Sequence, residues 1–163
     1  MIKKSSHKKT HLNEGCQAPL FRFKDECGQV KSLADMKGKN IILFFYPKDL
    51  TPSCTSEACD LRDNYNILLG KGFYLIGVSA DEENRHEKFR HKYSLPFPLV
   101  SDPQKEIIHA YGVWGPKQFM GFKYEGILRT TFIIDESGII KKVINKVKSK
   151  QHTQQILTLL NLN

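Results

Sequence analysis

A chain of 163 residues that is 40% hydrophobic is long enough to bury one core and short for two. No apolar run approaches the about 18 residues of a membrane span, and the basic start MIKKSSHKKT lacks the apolar stretch of a secretory signal, so a soluble cytoplasmic protein without a membrane partner is expected. The formal charge of +8 sits in two segments, four lysines in 1–10 and five in 141–150, leaving 11–140 near −1; such basic ends argue against a nucleic-acid-binding face.

Taken in order, LFRF (Leu20–Phe23) alternates as a strand, and the turn-like DECGQ leads to a second short strand near Val30. The run NIILFFY (Asn40–Tyr46) is apolar without alternation, the pattern of a strand covered on both faces. The breaker-rich PKDLTPS follows, then a helix from about Pro52 to Leu69. FYLIGVSA (Phe73–Ala80) is a second buried strand, and Glu82–Tyr93 reads as an exposed helix. A short strand around Phe97–Val100 precedes a short helix, KEIIHAYG. Segment 112–126 reads as a long Gly-rich loop. The chain closes with the strand RTTFIID, a turn at ESG, the strand IIKKVIN and an amphipathic helix over Gln151–Leu162. This order predicts an α/β fold with a central mixed sheet flanked by helices. The expected organisation is a flexible basic leader over 1–12 and a single domain over 13–163. Neither GxGxxG nor GxxxxGK[ST] occurs, so no nucleotide cofactor is expected.

The chemistry lies in TPSCTSEAC (Thr51–Cys59). Thr51 suits an N-cap, and Pro52 suits the first helical position, where its missing N–H is not needed. Cys54 then falls in the first helical turn, beside unpaired N–H groups and the positive end of the helix dipole, which favours a thiolate. Its place beyond the carboxyl end of a buried strand is where α/β sheets carry their chemistry. A zinc site would want cysteines two to four residues apart; the spacing here is five, and no metal is expected. On an ideal helix, residues five apart lie about 140° around the axis with Cα atoms about 8.6 Å apart. A disulfide tolerates about 7 Å at most, so Cys54 and Cys59 can bond only if the first turns unwind. Such a pair suits a cycle in which a thiolate is oxidised to a sulfenic acid and a second thiol condenses with it. Thr51 can add its hydroxyl to the pocket.

At YPKDLTPSCTSEAC (Tyr46–Cys59) the chain resembles the peroxiredoxins, thiol peroxidases with a thioredoxin-like fold. The hallmark is a proline, three residues, a threonine or serine, two residues and the peroxide-reacting cysteine, here Pro47, Thr51 and Cys54. Cys59 points to the bacterioferritin comigratory protein, or peroxiredoxin Q, subfamily. APLFRFKDECGQVKSLADMKGKN looks like that family's opening β-hairpin, and YGVWGPKQFMGFKYEGILRTTFIIDESG like its later signature. The active-site arginine of the family matches Arg129, and Trp114 matches a packing position. The resemblance implies that Cys54 is the peroxidatic nucleophile and Cys59 the resolving thiol, that Arg129 and Thr51 shape the pocket, and that Pro47 shields it. It also implies hydroperoxide substrates, a Cys54–Cys59 disulfide reduced by thioredoxin, no cofactor and a monomer. Ser53 stands where glycine is usual, Leu50 where an acid is common, and Leu20 where aspartate is usual; Cys16 and Cys27 lie outside the pattern. Two rival readings are a thioredoxin-like disulfide oxidoreductase, which would present a CxxC that is missing here, and a redox-sensing binding protein.

Overall fold

In a computed structural model describing residues 9–163, the apolar run becomes β3 (Asn40–Phe45), the middle strand of a five-stranded sheet. An antiparallel hairpin precedes it, β1 (Arg22–Lys24) with β2 (Val30–Ser32). β4 (Phe73–Ser79) runs parallel to β3, and β5 (Leu99–Ser101) parallel to β4. On the other side β8 (Thr130–Ile134) and β9 (Ile140–Ile144) pair antiparallel, giving the order β5-β4-β3-β8-β9. The helices are α1 (Pro52–Asp63), α2 (Tyr65–Gly70), α3 (Glu83–Tyr93), α4 (Glu106–Ala110) and α5 (His152–Leu159).

The lack of alternation in β3 has a simple cause. Ile41, Leu43 and Phe45 point into one core with Phe23, Leu33, Tyr111 and Phe132. Ile42, Phe44 and Tyr46 point into a second core with Cys54, Leu61, Phe89 and Ile156. Each such buried side chain contributes roughly 1.5–3 kcal/mol, so β3 anchors both layers. At Gly77, opposite Phe44 in the parallel register, a Cβ would lie 2.7 Å from the Phe44 ring and 2.8 Å from Leu99 Cδ2. No larger residue fits there without displacing the ring.

Four expectations are corrected. The helix expected over Pro52–Leu69 is two helices, because the Asn64 side chain donates to the Asp60 carbonyl at 2.8 Å and competes with the helical ladder. The helix Glu82–Tyr93 is not wholly exposed, since it buries His86 and Phe89. The loop 112–126 is largely a hairpin, β6 (Trp114–Phe119) with β7 (Phe122–Ile127). Its two-residue turn takes positive φ at Met120 (48°) and Gly121 (83°), the geometry that closes tight hairpins. The final helix is shorter than Gln151–Leu162, entered through a 3-10 turn at Ser149–Gln151.

The leader expected over 1–12 lies mostly outside the described residues. Of its described part, Thr10 donates to the Tyr111 carbonyl at 2.5 Å, which lays the segment against the body. Among the described residues no helix is long and apolar enough to cross a membrane.

Candidate active site

The chain leaves β3 at Phe45 and crosses Tyr46–Thr51 before α1 begins at Pro52. The register of the sheet then decides what faces the helix start. Phe45 pairs with Thr130, so Arg129, one residue before β8, comes to the same sheet edge. Its Nη2 donates to Cys54 Sγ at 3.1 Å across 75 residues of sequence. Cys54 is 2% exposed, so this charged contact is made away from bulk water.

The other end of the guanidinium is engaged as well. Nη1 donates to Glu57 Oε2 in an ion pair. Glu57 stands three residues after Cys54 on the same face of α1, so one planar fork reaches both groups. Glu57 is fully buried, and its Oε1 has no hydrogen-bond partner among the described residues. Burial pushes its carboxyl up to about 7, against the attraction of Arg129, with nearby Asp60 adding to the rise.

Behind Glu57 lies His152, from the start of α5, with Nε2 3.7 Å from Glu57 Oε1. The Gln155 amide is fixed: its oxygen accepts from the Lys148 N–H at 2.9 Å and its nitrogen donates to the Lys146 carbonyl at 2.8 Å. His152 Nδ1, 3.0 Å from that amide oxygen, must therefore carry a proton. Nε2 is then an acceptor, receiving the Thr131 hydroxyl at 2.8 Å. Burial holds this imidazole down to about 4, so it is neutral at physiological pH. Lys117 of β6 donates to the Ile127 carbonyl at 2.8 Å, and its ammonium is weakened by burial and by the neighbouring Arg129 charge, while Cys54 supports it.

Of the residues picked from sequence, Cys54 and Arg129 meet directly. Thr51 occupies the N-cap position without capping, because its hydroxyl donates backward to the Lys48 carbonyl at 2.8 Å. Pro47 lies half-buried in the same loop. Cys59 shares α1 with Cys54, both are free thiols, and burial raises the Cys59 thiol above its usual range. Cys16 packs against the core on the opposite face of the sheet from Cys54, and Cys27 is exposed in the β1–β2 turn. Sequence reasoning missed Glu57, Lys117 and His152. The spacing of three after Cys54 could have found Glu57; nothing local marks the other two.

The loop itself is held from outside. Asp49, fully buried, accepts the Tyr46 hydroxyl at 2.6 Å and pairs with His86 Nδ1 at 2.5 Å. Its N–H donates to Asp81 at 2.9 Å and its carbonyl accepts from Arg85 at 3.0 Å. This clamp holds the next residue, Leu50, at φ 65°, a left-handed conformation that disfavours leucine. Asp49, Asp81 and His86 are also the one trio among the described residues with the spacing of metal ligands. Their polar atoms are already spent on Tyr46, Ser79, Arg85 and the Val100 carbonyl, a closed network.

Comparison with known proteins identifies the family. The model of the AhpC/TSA family matches residues 15–143. Peroxiredoxin Bcp of Bacillus subtilis is 43% identical over 146 residues, covering 90% of this chain and 93% of the relative. Peroxiredoxin Bcp of Escherichia coli K12 is 39% identical over 149 residues, covering 91% and 96%. A solved peroxiredoxin Q of Xanthomonas campestris superposes with a TM-score of 0.78 at 31% identity, covering 86% of this chain and 90% of that one. A mutant PrxQ of Xylella fastidiosa superposes with a TM-score of 0.85 at 27% identity, covering 94% and 98%. The thioredoxin-like α/β fold expected from the sequence is the fold found, and the chain belongs to the AhpC/TSA family as a thiol peroxidase of the Bcp, or peroxiredoxin Q, kind.

Proposed function

We propose that Cys54 is the peroxidatic nucleophile and Cys59 the resolving thiol. The observation that carries this is the Arg129 guanidinium 3.1 Å from the buried Cys54 sulfur. A fixed cation there favours the thiolate and presents donors to the peroxide oxygens as charge develops on the leaving oxygen. The thiolate attacks one oxygen of the hydroperoxide, the O–O bond breaks, and Cys54 becomes a sulfenic acid while an alcohol or water leaves. The Cys59 thiol then condenses with the sulfenic acid, expelling water and forming the disulfide.

Thr51 and Pro47 wall the pocket. Hydroperoxides and a thioredoxin-type reductant follow from the family; recycling by thioredoxin itself, a monomeric state, a cytoplasmic location and one catalytic unit over 13–163 belong to this proposal. Resolution within one chain needs no partner subunit. A rival resolver is disfavoured, since Cys16 packs beyond the sheet from Cys54. The test is turnover with hydroperoxide, thioredoxin and its reductase. Cys54→Ser should be inactive, and Cys59→Ser should consume about one peroxide per chain and stop at the sulfenic acid. Normal turnover by Cys54→Ser refutes the nucleophile, and sustained turnover by Cys59→Ser refutes the resolver.

A further inference from the structure

The chain Cys54–Arg129–Glu57–His152 holds one fixed cation between two groups that can each be anionic. Resting on Cys54 as nucleophile, we propose that Glu57, backed by His152, stores the proton that balances the Cys54 thiolate and gives it up when Cys54 is oxidised.

The geometry favours this over a permanent Glu57–Arg129 ion pair. An ionised Glu57 would leave Oε1 buried without a hydrogen-bond partner among the described residues, a costly arrangement for a full charge. Protonated on Oε1, the carboxyl carries no charge and lies beside the neutral His152 ring, 3.7 Å from Nε2, while Oε2 still accepts from Arg129. His152 cannot take the proton readily itself, because its Nε2 lone pair already accepts the Thr131 hydroxyl and burial disfavours its charged form. The charged or titratable groups facing Glu57 are Cys54 and Asp60 on its own helix, Arg129 from the β8 side and His152 from α5; Lys117 of β6 flanks the Arg129 end.

The charge count then closes in both redox states. With Cys54 as thiolate, Arg129 positive, Glu57 protonated and His152 neutral, the cluster is neutral. The thiolate and hydroperoxide give a sulfenic acid and an alkoxide. Loss of the thiolate charge lets Arg129 draw Glu57 into its ionised form, and the released proton offsets the one the alkoxide takes up to become the alcohol. The cluster again sums to zero. Glu57 and His152 touch no substrate; they are positioning residues acting through Arg129.

The test uses Cys59→Ser, so that oxidation halts at the sulfenic acid, with substoichiometric hydroperoxide in a weakly buffered indicator solution. Mass spectrometry establishes the sulfenic acid at Cys54. Near about pH 6.5 this protein should take up less than half the protons that the Glu57→Gln, Cys59→Ser protein takes up, and the difference should vanish by about pH 8.5. Infrared difference spectra of Cys59→Ser should also lose a protonated-carboxyl C=O band on oxidation, an observation that stands even if the glutamine variant misfolds. His152→Gln in the same background should shift that band. Equal proton uptake in the two proteins, or no carboxyl band lost, overturns the proposal while leaving Cys54 as nucleophile. No sulfenic acid at Cys54 overturns both.

Discussion

Replacing Glu57 by glutamine isolates one buried titration, and its size follows from the structure. The Glu57 carboxyl stands at about 7 in the fold against 4.5 for a free side chain, with burial as the main cause. Between those two values the folded protein holds a proton that the unfolded chain has lost. Stability therefore falls as pH rises through about 4.5 to 7, and the full cost, about 3 kcal/mol, is present above that window. His152 has the opposite sign. Its imidazole stands at about 4 in the fold against 6.5 free, so between those values the unfolded chain holds the extra proton and stability rises with pH. The two slopes nearly cancel, so this pair leaves the native protein with an almost flat profile from about pH 4.5 to 6.5.

Glutamine keeps an oxygen for Arg129 Nη1 and carries no charge, so it imitates the protonated acid without titrating. The assay is urea unfolding of the reduced proteins at about pH 5 and pH 8, with the same pair compared by thermal melting. The stability of Glu57→Gln relative to the native chain should increase by about 2–3 kcal/mol between the two pH values, or about 5–10 °C in Tm. Because His152 is common to both proteins, its own titration cancels in the difference. A stability difference that does not change with pH, or one that moves against the variant at pH 8, would refute a near-neutral buried Glu57.

Arg129→Ala should slow sulfenic acid formation by about 100-fold or more, the usual effect of removing a preorganised donor to developing charge. Arg129→Lys should recover part of this, since one ammonium cannot serve both the Cys54 sulfur and Glu57; stopped-flow oxidation decides, and a change under about threefold in Arg129→Ala removes the arginine from the chemistry. Forming the Cys54–Cys59 disulfide should unwind the start of α1, so residues 52–60 should exchange amide hydrogens faster when oxidised while β3 and β4 stay protected; equal protection in a verified disulfide form ends that idea. Gly77→Ala should destabilise the fold by about 1–3 kcal/mol in urea unfolding, because its Cβ would meet the Phe44 ring and Leu99; a neutral effect would mean the ring moves freely.

The elements legible in the sequence are those whose cause is local. Asn40–Tyr46 and Phe73–Ala80 read as buried strands because both faces of each are apolar, and Thr51-Pro52 marks a helix start by its own backbone preferences. The spacing of Cys54 and Cys59 likewise needs only helix geometry to be read as a pair kept apart. The hairpin over 114–127 was hidden by Gly115, Pro116, Gly121 and Gly126, residues that look like loop, although Gly121 makes the tight turn and Gly126 lets Lys117 pack close. What only the tertiary structure decided is the company Cys54 keeps. Arg129 reaches it because β8 pairs with β3 in the one register that sets Thr130 opposite Phe45, and His152 arrives because α5 packs on the same face as α1. The near-neutral Glu57 depends on the burial that this packing brings, with Asp60 adding to the rise and Arg129 opposing it. A sequence states which groups can ionise; the free energy of each ionisation is set by the neighbours and the burial that folding brings.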